Sequence, residues 1–282
     1  MSKNNYFKGC YFKCSANDKT ISFIPAFHRN CRNESTSLQI ITDNTAFNIP
    51  FDSLKYHERP LSIEIGNNIF SDRGIKLNIQ TNTLSIHGEL AFNQLSPIKY
   101  DIMGPFQYVP FMQCRHSIYS MKHTINGQIN INDSEFIFKN GDGYIEGDRG
   151  YSFPEKYIWT QCCFKDGSLM LSAASIPLLG TGFTGIIGII MINGKEYRLA
   201  TYLGAKIKHI DKDTIIVKQR DYLLSAKLIK KNAHPLYAPV NGKMSRTIHE
   251  SASCKAYYKF LYKENIICEF TSDRASFELE YN

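Results

Sequence analysis

At 282 residues, with 43% hydrophobic and 13% aromatic side chains, the chain exceeds a usual single domain and can fill a sizeable core, so two domains or one long barrel is expected. Its net charge of +7 is concentrated in residues 195–259, which carry 14 Lys or Arg against 5 Asp or Glu. No RNP-like, zinc-finger or helix-turn-helix pattern accompanies it, so nucleic acid is excluded as a partner, while an anionic membrane surface could meet this basic C-terminal half. Eight cysteines without a CxxC pair, and an opening MSKNNYFKGCYFKC without an apolar h-region, exclude a paired-cysteine zinc site, a disulfide framework and a secretory signal, leaving a cytoplasmic location as the expectation.

Taken in chain order, the elements read as strands. Period-two alternation runs through LSIEI (61–65), IKLNIQ (75–80), QININ (128–132), EFIFK (135–139) and FELEY (277–281), and no segment sustains a 3.6 period with caps. The Pro- and Gly-bearing stretch 101–114 is the expected break, dividing the chain into 1–114 and 115–282. Six Asx-Gly pairs follow, at 126, 140, 142, 166, 193 and 241, and each signals a hairpin turn. None lies in the first part, so the two parts are expected to differ in loop character. Residues 167–194 carry no charge. Pro177 and the glycines at 180, 182, 185 and 188 favour two buried strands over a membrane helix. Gly180, Gly182 and Gly185 match G-x-G-x-x-G, but a hairpin signal at Asn193-Gly194 follows where a dinucleotide fold needs a helix. The pattern as a whole predicts an all-β barrel or sandwich. G-x-S-x-G, a Walker lysine and H-E-x-x-H are missing from the sequence, so the corresponding hydrolase, phosphoryl-transfer and zincin templates fail.

Chemistry concentrates in GDGYIEGDRGYSFPEKYIWTQ (141–161), which holds the only tryptophan. Strand alternation beyond a turn at 140–143 puts Tyr144, Glu146 and Asp148 on one face, two carboxylates beside a phenol. The alternative is a solvated edge strand with Glu146 paired to Arg149 or Lys156. His116 and His123, seven apart, fall on opposite faces of a continuous strand, which leaves His116 as a pocket or surface imidazole rather than a metal ligand.

The run GYIEGDRGYSFPEKYIWTQCCF resembles the signature of the tocopherol cyclase-like family. It is carried by Glu146, Gly150, Phe153, Pro154, Tyr157, Trp159, Gln161 and Cys162. Further similarity lies in YFKCS, IGNNIFSDRGIKLNI, MGPFQYVPFMQCRHSIYSMKH and LYAPVNGKM, and the chain looks most like the bacterial branch. The resemblance implies two lipocalin-like antiparallel β-barrel domains, related to carotenoid hydratases and fungal Diels-Alder cyclases, and ring closure of a prenylated substrate. Departures from the plant pattern fall at Asp148, Arg149, Cys163 and His116, and bacterial relatives commonly show Glu where Gln113 stands.

Such a cyclase needs a carboxyl group still protonated at neutral pH, aromatic faces for a developing cation, and a dry pocket. Glu146 is the expected acid, raised by desolvation rather than by a neighbouring carboxylate, with Asp148 and Glu250 as further candidate catalytic carboxylates. Tyr144, Trp159, Tyr108, Gln113 and His116 are the expected substrate-binding residues. The expected partner is a hydrophobic small molecule, with no cofactor and no metal, and the sequence leaves the oligomeric state open. The alternative function is a lipocalin-like carrier that holds such a ligand unchanged.

Overall fold

A computed structural model describes residues 5–16, 19–31, 33–110, 112–178 and 181–281. The first sheet comprises β1 (Tyr6–Ala16), β2 (Lys19–Asn30), β3 (Asn33–Thr42), β4 (Ala46–Phe51), β5 (Leu54–Glu58), β6 (Leu61–Ile65), β7 (Asn68–Ser71), β8 (Gly74–Gln80), β9 (Ser85–Phe92), β10 (Cys114–Ile131) and β11 (Ser134–Gly150). Their spatial order is β4-β3-β2-β1-β11-β10-β9-β8-β7-β6-β5. The second takes β12 (Tyr157–Phe164), β13 (Gly167–Leu178), β14 (Thr181–Ile192), β15 (Lys195–Ala200), β16 (Lys206–Ile210), β17 (Thr214–Gln219), β18 (Tyr222–Lys230), β20 (Lys243–Tyr262) and β21 (Asn265–Glu280). Here the order is β15-β14-β13-β12-β21-β20-β18-β17-β16, and β19 (His234–Val240) pairs with β20 off that path. All pairings are antiparallel, and the expected all-β, lipocalin-like architecture is what the chain forms.

The chain changes sheets between Gly150 and Tyr157, not at residue 114. Residues 101–114 instead carry a 3-10 turn, Gly104–Tyr108, within a connection from β9 to its own neighbour β10. Three Asx-Gly pairs also depart from expectation. Asn126-Gly127 lies inside β10, while Asn140-Gly141 and Asp142-Gly143 lie inside β11. Pairing of β11 with both β1 and β10 outweighs the local turn preference, and the turn-prone residues become irregularities within long strands. The register of β10 against β11 shifts between Ile125 and Gly127, and Asn140 sits at φ 54°. Turns do form at Asn193-Gly194 and Asn241-Gly242, and at Lys165-Asp166, where Gly167 already begins β13. The first part has tight hairpins too, at Gly66-Asn67 and Asp72-Arg73, so the expected contrast in loop character is not observed. The uncharged stretch folds as the hairpin β13–β14, and Gly180 of the glycine pattern lies outside the described residues. Among the described residues no helix is long and apolar enough to cross a membrane.

Alternation sorts side chains to two faces of each central strand. Cys10, Phe12 and Cys14 of β1 point into a core with Phe23, Phe70 and Ile145, while Ile158, Cys162, Tyr258 and Phe277 build a second core inside the other sheet. The opposite faces of β1, β11 and β12 meet in a third cluster that includes Tyr11, Tyr144, Trp159, Met121 and Leu236. Two polar devices bind the halves. The Gln39 side-chain amide donates to Tyr237 O at 3.1 Å and its carbonyl accepts from Tyr237 N at 2.8 Å, imitating a strand pairing between β3 and β19. The buried Arg198 guanidinium donates to Tyr100 O (2.8 Å) and Asp101 O (2.9 Å), tying the β9–β10 connection to β15.

Candidate active site

Glu146 stands at the middle of the face where the two sheets meet. On β11, Tyr144, Glu146 and Asp148 project to one side, opposite Lys13, Tyr11 and Gly9 of β1. The buried Glu146 Oε2 accepts from Tyr144 OH at 2.5 Å and from Trp159 Nε1 at 3.2 Å. It also lies 3.1 Å from His116 Nε2, an ion-pair contact off the line of a hydrogen bond. The other ring nitrogen, Nδ1, is 2.9 Å from Asp148 Oδ1, which also accepts from Cys114 Sγ at 3.3 Å. Burial lowers the His116 pKa, but the Glu146 and Asp148 charges outweigh it and hold the imidazole well above its usual range.

His116, Glu146 and Asp148 present ligand atoms within 4.8 Å of one another. Even so, one ring nitrogen faces each carboxylate. Protonated at both nitrogens, as the two carboxylate charges favour, the imidazole offers no lone pair to a metal. Arg149 pairs with Glu58 at 2.9 Å and not with Glu146, so the solvated-edge reading of this strand does not hold.

A second acidic centre lies in the same region. Glu278 on β21 is opposite Trp159 on β12, and Tyr157 OH donates to Glu278 Oε2 at 2.6 Å. Glu250 on β20 is buried beside it. Burial, then the adjacent Glu250 charge, push Glu278 well above the carboxylate range. Burial raises Glu250 as well, to about 7. Two carboxyl groups out of water and next to each other cannot both ionise cheaply, so the pair retains a proton at neutral pH.

Both centres line one cavity of about 170 Å³. A single water needs roughly 10–15 Å³ by the same measure, so the space suits a small organic molecule. Its walls are largely apolar, with Phe7, Met103, Phe153, Ile187, Leu236 and Ile248 among them. Trp159 packs edge-on against Tyr11, ring centres 5.5 Å apart.

No protein-family model matches the chain, and no curated protein matches it in sequence. Its fold is similar to that of solved structures. CghA determined with Sch210972 superposes with a TM-score of 0.64 over 99% of this chain and 89% of that one, at 7% identity. CghA in a second structure gives 0.64 at 8% identity, with the same coverage. A putative AttH from Nitrosomonas europaea gives 0.55 at 8% identity, over 99% of this chain and 93% of that one. At these identities the likeness is one of fold.

Of the residues singled out in sequence, Glu146, Asp148, Glu250, Trp159, Gln113 and His116 all line the cavity. Tyr144 bonds Glu146 from behind and lines a different cavity. Tyr108 is 80% exposed at the end of the 3-10 turn, away from the pocket, because that turn directs its ring outward. Burial raises both members of the Glu250–Glu278 pair, of which the sequence reading named only Glu250. Sequence reading missed Glu278 and Tyr11, and gave Tyr157 no place beyond the family signature. The available signal is FELEY, where Glu278 follows the core residue Phe277 in a strand-like alternation.

Proposed function

We propose that the protein is a cofactor-independent cyclase acting on a prenylated or polyene hydrophobic small molecule by acid-assisted alkene activation. The observation that carries this reading is a carboxyl pair, Glu250 and Glu278, buried side by side at the wall of an apolar cavity, where loss of solvent favours the protonated form. In the proposed reaction the pair transfers its proton to an alkene carbon, leaving a cation on the more substituted carbon. The Trp159 and Tyr157 rings face that charge, and the carboxylates of Glu146 and Asp148, joined by one imidazolium, leave a net negative centre beside it. The substrate's own hydroxyl or alkene then closes the ring. The hydroxyl proton or, where an alkene closes the ring, the proton lost from the carbon next to the new cationic centre returns to the ionised pair, so no proton is consumed. Apolar walls keep water from trapping the cation. The likeness to CghA, whose structure holds a small molecule, supports a ligand-holding fold.

Purified protein incubated with prenylated hydroquinones and linear polyenes should yield isomers of unchanged mass but altered chromatographic mobility. Glu250→Gln should lose that conversion. Full conversion by Glu250→Gln and by Glu278→Gln would defeat the proposal. A carrier is the second reading, favoured by the three partners that occupy Glu146 Oε2 and fix it as part of the wall. Native mass spectrometry separates the two: a carrier releases an unchanged ligand, a catalyst a cyclised one.

A further inference from the structure

A second cavity, of about 570 Å³, opens on the other side of Tyr144 and takes Lys13 into its lining. Lys13 follows Tyr11 by two positions on β1 and is paired with Tyr144 on β11, so it shares the face that looks toward the second sheet. The residue is only 3% exposed. Its ammonium donates to the backbone carbonyl of Arg274 at 2.8 Å. The acids lining the same cavity are engaged elsewhere: Asp142 pairs with Lys122 at 3.3 Å, Asp273 with Lys255 at 3.5 Å, and Asp43 accepts from Thr20 N at 2.9 Å and from the Ser253 hydroxyl. Among the described residues no carboxylate reaches ion-pair distance of Lys13. Burial lowers its pKa, with Cys162, Cys163, Cys254 and Glu250 opposing that fall. A buried amine without an acidic partner, facing open space, is the usual setting of an imine-forming lysine.

We propose that Lys13 is the attachment point for a carbonyl ligand, bound as a Schiff base in this second cavity. The lining suggests the ligand's class. Besides Lys13, whose amine is neutral in the reacting form, the walls carry charges of both signs, and Ser15, Ser253, Thr271 and Ser272 add hydroxyl groups. A hydroxylated aldehyde without an anionic group matches walls that are rich in hydrogen-bonding groups and, with the amine neutral, hold three carboxylates against two cations. The neutral amine attacks the carbonyl carbon and forms the C–N bond. The nitrogen's proton moves to the carbonyl oxygen, and water leaves to give the C=N bond. No oxidant or reductant is needed. The site is separate from the carboxyl pair and stands whether or not the proposed cyclase activity does.

The test is reductive trapping with glycolaldehyde and cyanoborohydride at mildly acidic pH, where ordinary lysines near pKa 10.4 are almost wholly protonated. Peptide mapping should find the adduct on Lys13 roughly tenfold above any exposed lysine. Lys13→Met should remove that adduct and no other. If Lys13→Met fails to fold, the wild-type map alone decides. Labelling of Lys13 no greater than that of exposed lysines, or none, would overturn the proposal and leave Lys13 as a cap on the Arg274 carbonyl.

Discussion

Replacing Glu146 by Gln keeps the shape of the side chain and removes its charge. In the wild type one oxygen gathers Tyr144 OH at 2.5 Å, Trp159 Nε1 at 3.2 Å and the imidazolium of His116 at 3.1 Å. Hydrogen bonds to a charged acceptor are worth about 1.5–3 kcal/mol each, and breaking a buried ion pair costs about 3–5 kcal/mol. The amide oxygen can accept from both donors, but each bond loses the charge that strengthened it. His116 retains Asp148 at 2.9 Å, which softens the loss of its other partner. The expected net destabilisation is therefore about 3 kcal/mol, and for a chain of this length that lowers the Tm by roughly 6–10 °C. The His116 pKa should also fall, because one of the two charges that oppose its burial is gone. Thermal unfolding followed by circular dichroism, with NMR titration of the His116 ring, measures both. A Tm within about 2 °C of wild type and an unchanged His116 titration would refute the claim that this triad is a buried ionic unit.

Other perturbations bear on different parts of the molecule. Glu250, raised to about 7 in the fold from 4.5 unfolded, takes up a proton on folding, so its contribution to stability and its capacity as an acid are both lost as pH rises through about 7. Conversion rates in the cyclase assay should fall on that alkaline limb, and a rate that rises there would exclude the pair as the acid. His28 and His123 are lowered by burial to about 4 from 6.5. Their stabilisation is complete above pH 6.5 and lost as pH falls toward 4, so urea midpoints should drop steeply across that window, and a flat profile would contradict their burial as neutral rings. Gly143→Ala would set a Cβ 2.2 Å from His123 Nε2, which is boxed in by Ser120 at 3.0 Å and the Phe92 ring at 4.5 Å. A loss of about 1–3 kcal/mol is expected, and a neutral result in chemical denaturation would show that the ring can move aside.

The strand nature of the chain was open to reading because alternation survives wherever one face is buried. LSIEI, EFIFK and FELEY each became part of a strand. Boundaries were not, since Asn140-Gly141 and Asp142-Gly143 carry the same local preference as Asn193-Gly194 but are held extended by partners far away in sequence. The site divides in the same manner. Tyr144, Glu146, Asp148 and Trp159 lie close together in sequence, and two-residue spacing alone brings the first three to one face. Glu278 and Glu250 reach them only through pairing of β12 with β21 and of β21 with β20, which no local pattern records.

β1 and β21, the first and last strands described, are both interior strands, each flanked on two sides. Both also supply cavity walls, Tyr11 from one and Glu278 from the other. During synthesis, β1 must therefore wait for β11, more than a hundred residues later, before its second edge is covered. β12 waits likewise for β21. Such long-range closure slows folding and leaves strand edges open in the interval, up to the emergence of residue 280.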